Sequence, residues 1–123
     1  MSKAEEIKLY SEQKELIIMY LDQYEYGLEE ARYRYLRYNS KAFKSLSYQS
    51  FVVEELKRLI DESGINDNPI SIIENYISKM DKLSLLNRNT SFIFSTAYDT
   101  ALDIFDALVY SSDGIFDMFP KED

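Results

Sequence analysis

Two pairs of carboxylates are the residues of this chain best suited to chemistry: Glu12 with Glu15, and Asp103 with Asp106. On a helix, side chains three positions apart share a face. Carboxylate pairs brought together from two helices supply the oxygen ligands that Mg²⁺ prefers. Little else in the 123 residues supports catalysis. Histidine and cysteine are both absent, which removes the usual base near neutral pH, the thiolate nucleophile and most zinc sites. A magnesium-dependent nucleotide hydrolase would also need a further acidic ligand beside Glu12 and a cradle for phosphate. The sequence offers neither, and carboxylates three apart are common on the solvated helices of a chain that is 29% charged. The expectation is a protein with no enzymatic activity, metal or cofactor.

Asp99 extends the second pair into a row, Asp99, Asp103 and Asp106, whose spacing of four and three keeps it on one helical face. Its ordinary reading is a solvated surface. The sharper reading is mimicry of a phosphate backbone, with carboxylates occupying the basic nucleic-acid channel of another protein. The opposite charge is concentrated elsewhere. Net charge is −8, yet residues 31–53 carry five basic groups and no acidic one. Within that island lies Arg32-Tyr33-Arg34-Tyr35-Leu36-Arg37-Tyr38, followed by Lys41 and Lys44. Guanidinium groups pair with phosphate and rings stack on unpaired bases, but Arg and Tyr are equally enriched in protein interfaces. Cations at the end of a helix also complement its dipole, and the arginines can pair with the chain's own acids. Because the protein as a whole is acidic, a protein partner is preferred over nucleic acid, and direct nucleic-acid binding is kept as the alternative.

The element that must carry the island is a long N-terminal helix, expected over about 3–38. From Ile7 the apolar residues repeat as a heptad: Ile7, Lys14, Leu21, Leu28 and Tyr35 at a, and Tyr10, Ile17, Tyr24, Ala31 and Tyr38 at d. All but Lys14 are apolar or aromatic. Such a 3.5-residue repeat keeps one edge turned toward a partner helix. A helix of this length outruns partners of ordinary size, so part of the edge is expected to meet another chain, in a homodimer or a hetero-complex. The expected partner-binding residues are Tyr24, Leu28, Arg32, Arg34, Tyr35, Arg37 and Tyr38.

The rest of the chain reads as shorter helices. Residues 39–50, rich in Ser and Lys, suggest a connector. A second helix is expected over about 51–62, ended by Gly64 with Ile65 supplying an apolar contact. Asn68-Pro69 is a cap followed by a first-turn proline and opens a third helix over 69–86. A fourth spans about 92–110, and a tail covers 111–123. With only 3 Gly and 2 Pro, long helices are favoured over strands. The expected fold is therefore all-α: a single domain over 1–123, a bundle of about four helices with a coiled-coil-like first helix. No apolar run approaches the ~20 residues of a membrane span, and the acidic start lacks the features of a signal peptide. A cytoplasmic location is the default expectation. Usage rich in Ile, Asn, Lys and Tyr fits an AT-rich bacterial or phage genome. The role expected is that of an adaptor, inhibitor or assembly subunit acting through helix–helix contacts.

Overall fold

The computed structural model describes residues 2–35, 40–86 and 91–110. It is an all-α bundle of four helices: α1 (Lys3–Tyr35), α2 (Ser40–Asp61), α3 (Pro69–Leu86) and α4 (Ser91–Tyr110). There is no strand among the described residues.

Local chemistry accounts for the helix ends. At the start of α1 the Glu5 N–H donates to Ser2 Oγ at 3.2 Å, a serine cap that satisfies one of the helix's free donors. At α3 the Ile70 N–H donates to Asn68 Oδ1 at 2.9 Å, and Pro69 occupies the first position, where a missing N–H costs nothing. The end of α2 departs from expectation. Gly64 does not take a positive φ and Ile65 is exposed, so the glycine cap with its apolar contact is absent. Instead Ser63 Oγ donates to the Ile60 carbonyl at 2.6 Å, and Asp67 Oδ2 accepts from the Gly64 N–H at 2.7 Å.

The larger correction concerns residues 39–50. From Ser40 onward this stretch is helix, part of the 22-residue α2. Serine and lysine do not break helices as Gly and Pro do. Leu46, Ser50, Val53, Leu56 and Ile60 recur at helical spacing along its inner side, and the last four are buried. At ~1.5 Å per residue α2 is about 33 Å long, against about 50 Å for α1.

Contacts fix the directions. Lys57 Nζ lies 2.6 Å from Asp22 Oδ1, Lys14 Nζ donates to the Gly64 carbonyl at 2.6 Å, and the Arg32 guanidinium sits 5.3 Å from the Phe43 ring centroid. These three pairs make α1 and α2 an antiparallel hairpin. The Asp22 carboxylate, bonded to Lys57, raises that ammonium's pKa above its ordinary value against the opposing effect of burial. The helices α3 and α4 form a second hairpin. The two hairpins meet chiefly through α2 and α4, which run in the same direction with Tyr48 against Phe92. Tyr76 Oη adds a bond from α3 to Glu55 Oε2 on α2 at 3.3 Å, and burial together with that carboxylate pushes the phenol's pKa up.

The core takes Ile17, Leu21 and Leu28 from α1, Val52, Val53, Leu56 and Ile60 from α2, Ile73, Tyr76 and Met80 from α3, and Ala97, Ala101, Ile104, Leu108 and Val109 from α4. Each large side chain buried this way contributes roughly 1.5–3 kcal/mol. The heptad edge of α1 is therefore largely covered by the chain itself. Ile17, Leu21 and Leu28 are buried and Tyr24 is half-buried. This corrects the inference that the edge is too long to hide: α2 is nearly twice the expected length. Lys14, the polar exception in the heptad, turns its ammonium to the Gly64 carbonyl.

Candidate interaction surface

The carboxylate pairs do not converge. Glu12 lies 4.0 Å from Lys8 on its own helix, while Asp103 lies opposite Tyr24, three turns further along α1. Among the described residues no three His, Cys, Asp or Glu side chains gather as a group able to hold a metal ion. Asp99, Asp103 and Asp106 are all exposed along α4, but Asp103 is engaged: its Oδ2 accepts from Tyr24 Oη at 3.3 Å. Burial, and then the Asp103 charge and bond, push the Tyr24 phenol up to about 12. Tyr24 and Asp103 thus satisfy one another inside the molecule.

The seven residues expected to bind a partner separate according to the face of α1 they occupy. Leu28 is a core residue. Arg32 is half-buried, with its guanidinium over Phe43, and its Nε is buried without an acceptor. Arg34 and Tyr35 are exposed. Arg37 and Tyr38 lie outside the described residues. Tyr33, between the two described arginines, is the most open, at 82% exposure.

Two apolar surfaces escaped the heptad reading. The first is the outer face of α1, where Met19, Tyr26 and Tyr33 recur every seven residues and are all exposed. They occupy one heptad position, opposite the buried a/d edge. Tyr26, Glu29, Glu30, Tyr33 and Arg34 line a shallow depression there. Gly27 stands next to Tyr26, and a side chain in its place would meet nothing within 4 Å. The second surface is at the end of the bundle where α3 stops and α4 begins. Leu85, Leu86, Phe92 and Ile93 are all exposed there, Leu85 and Leu86 at 76% and 78%, and Phe51 is exposed near the middle of α2. Phe92 meets the half-buried Tyr48 edge-on, ring centroids 6.2 Å apart, which ties α4 to the α2 turn that carries Phe51.

The helix ends nearby expose charge of both signs, with Glu29 and Glu30 on α1 and Asp81 on α3 among the acids. Arg34 at the close of α1, Lys41 and Lys44 at the opening of α2, and Lys82 near the close of α3 are all exposed. One signal for this patch was present in the chain: Phe51 falls beside the Val52, Leu56 and Leu59 stripe, and Leu85-Leu86 follows the Ile73, Tyr76, Met80 and Leu83 stripe on α3. Apolar residues off the core periodicity are candidates for an external contact.

No helix among the described residues is long and apolar enough to cross a membrane. No known family model, no characterised protein and no solved structure matches this chain.

Proposed function

We propose that this chain is a non-enzymatic protein-binding module, an adaptor, inhibitor or assembly subunit, that docks through the end of the bundle formed by α2, the close of α3 and the opening of α4. The observation that carries this reading is the exposure of five large apolar side chains, Phe51 on α2, Leu85 and Leu86 at the close of α3, and Phe92 and Ile93 at the opening of α4. Leaving several large apolar side chains in water forgoes burial of roughly 25 cal/mol per Å², and contiguous apolar exposure rimmed by polar groups marks interaction sites. Lys41 and Lys44 on α2 and Lys82 on α3, all exposed, suit a partner whose own apolar surface carries carboxylates, because complementary charge steers encounter and orientation. A second copy of this acidic chain is one such partner.

The test is a comparison of the intact chain with a Phe51→Ser, Leu85→Ser, Phe92→Ser variant, both checked for folding by circular dichroism. Sedimentation reads self-association and affinity purification reads other partners. A partner or a dimer held by the intact chain and lost by the variant supports the proposal. A monomer at high concentration with no partner recovered, or a complex indifferent to the substitutions, refutes it.

A second reading, nucleic-acid binding, is favoured by Tyr33 and Arg34, which present an open ring and a neighbouring guanidinium on the outer face of α1. It predicts a salt-sensitive gel shift abolished by Tyr33→Ala with Arg34→Ala and untouched by the apolar substitutions.

A further inference from the structure

A groove of about 330 Å³ lies at the end of the bundle opposite Leu85 and Leu86, where the first turns of α1 pass the opening of α3 and the close of α4. It exists because α1 packs mainly on α2 and meets the second hairpin only sparsely. Its volume is at the small end of pockets that take ligands, roughly 300–1,000 Å³. Three rings line it, those of Tyr10, Phe105 and Tyr110. Phe105 and Tyr110 stand with ring centroids 6.2 Å apart at an interplanar angle of 71°, so they make a corner rather than a stack. Glu6 and Glu74 are the charged members of the lining, and no Lys or Arg is among them. Tyr10 Oη donates to Glu6 Oε1 at 2.7 Å, which sets one carboxylate beside one ring. Two helix starts and one helix end meet here and together amount to about +0.5 of a charge, so the two carboxylates keep the groove negative.

Negative charge beside aromatic faces selects a cation. The faces of Tyr and Phe attract positive charge through their quadrupoles, and the aliphatic side chains of Leu9, Ile70 and Val109 in the same lining suit alkyl groups. The acceptors in the groove decide which kind of cation. Asn68 Oδ1 already accepts from the Ile70 N–H and Glu6 Oε1 from Tyr10. A primary ammonium carries three donors, each of which costs free energy if it leaves water without an acceptor. A trialkylated ammonium carries none, and its charge is dressed in methyl groups. We propose that this groove binds a small quaternary ammonium compound, with the charged head among Tyr10, Phe105 and Tyr110 and with Glu6 and Glu74 balancing its charge. The ligand touches α1, α3 and α4 at once, so its binding ties the first hairpin to the second where the two are otherwise least in contact.

The test is an NMR titration of the full chain, isotope-labelled, with choline chloride at constant ionic strength. Two further ligands separate the contributions. Dimethylbutanol, the carbon isostere of choline, has the same shape without the charge, and ethanolamine has the charge without the methyl groups. The expected result is that the backbone N–H signals of Tyr10, Glu74 and Tyr110 shift together, with a Kd of about 1 mM or tighter, the range open to a ligand of this size. Both comparison ligands should bind at least about tenfold more weakly. Glu74→Gln with Tyr110→Leu alters two exposed side chains, so the fold, checked by circular dichroism, is retained while choline binding weakens at least about tenfold. Absence of shifts at these three residues, dimethylbutanol or ethanolamine binding as tightly as choline, or undiminished affinity in the folded double variant overturns the proposal.

Discussion

The Tyr24 phenol donates to the Asp103 carboxylate at 3.3 Å and joins the first helix to the last. One of these residues suggested a partner anchor and the other an acidic surface; in the folded protein each is the other's partner. A hydrogen bond to a charged acceptor is stronger than one between neutral groups, but at a partly exposed site its net worth is about 0.5–1.5 kcal/mol. A double-mutant cycle of Tyr24→Phe and Asp103→Asn, read by urea denaturation, is expected to give a coupling of that size.

The same contact makes stability fall at high pH. The phenol of Tyr24 is pushed up to about 12 in the fold from its ordinary 10.0. Its contribution is complete below about pH 10 and is lost as pH rises toward 12, because the unfolded chain gives up this proton first. Two units would correspond to about 2.7 kcal/mol; solvent screening at a half-buried ring reduces this to about 1 kcal/mol. Denaturation of the intact protein at about pH 9 and about pH 11.5 should show a loss, and Tyr24→Phe should show a smaller one by roughly that amount. Tyr76, shifted in the same direction by burial and Glu55, supplies part of the remainder.

Opposite faces of α1 should respond differently to alanine. Ile17 and Leu21 are fully buried, so Ile17→Ala or Leu21→Ala should cost about 2–5 kcal/mol through lost burial and a residual cavity. Met19, Tyr26 and Tyr33 are exposed, and their alanine variants should stay within about 0.5 kcal/mol of the intact protein. Thermal denaturation of the five variants checks the contrast.

Gly27 is helical with open space around it and no positive φ. Nothing inside the molecule requires glycine there. Gly27→Ala is therefore expected to stabilise the protein by about 1 kcal/mol, the helix-propensity difference, measured as an increase in urea midpoint at constant slope.

Lys14 Nζ donates to the Gly64 carbonyl in the loop after α2. Lys14→Met keeps the aliphatic stem and removes the bond, so it should cost about 0.5–1.5 kcal/mol. The loss should appear first as faster hydrogen exchange in the 62–68 loop.

The helical fold, the span of α3, the cap at Asn68-Pro69 and the start of α1 could all be read along the chain, because periodicity, caps and breakers act within a few residues of one another. Residues 40–50 could not be assigned to a helix so easily. Their Ser and Lys content is neutral toward helix formation, and what holds them is burial of Leu46 and Ser50 against other helices. Which of the expected partner-binding residues reach the surface was legible only in part. Arg34 and Tyr35 are on the surface as their sequence suggests, whereas Leu28 and Arg32 are turned inward, a difference of about 100° of helix rotation per residue that composition does not report.

By itself the sequence determined that this chain makes helices, where most of them begin, and that one edge of α1 is apolar, since these follow from local torsional preference and from spacing. Only the tertiary structure decided which molecule covers that edge. Coverage depends on the length and direction of α2 and on its approach to α4, and those are set by contacts between residues far apart in the chain, such as Lys57 with Asp22 and Tyr24 with Asp103. The apolar residues that this packing leaves exposed, Phe51, Leu85, Leu86 and Phe92, become visible as such only after it is complete.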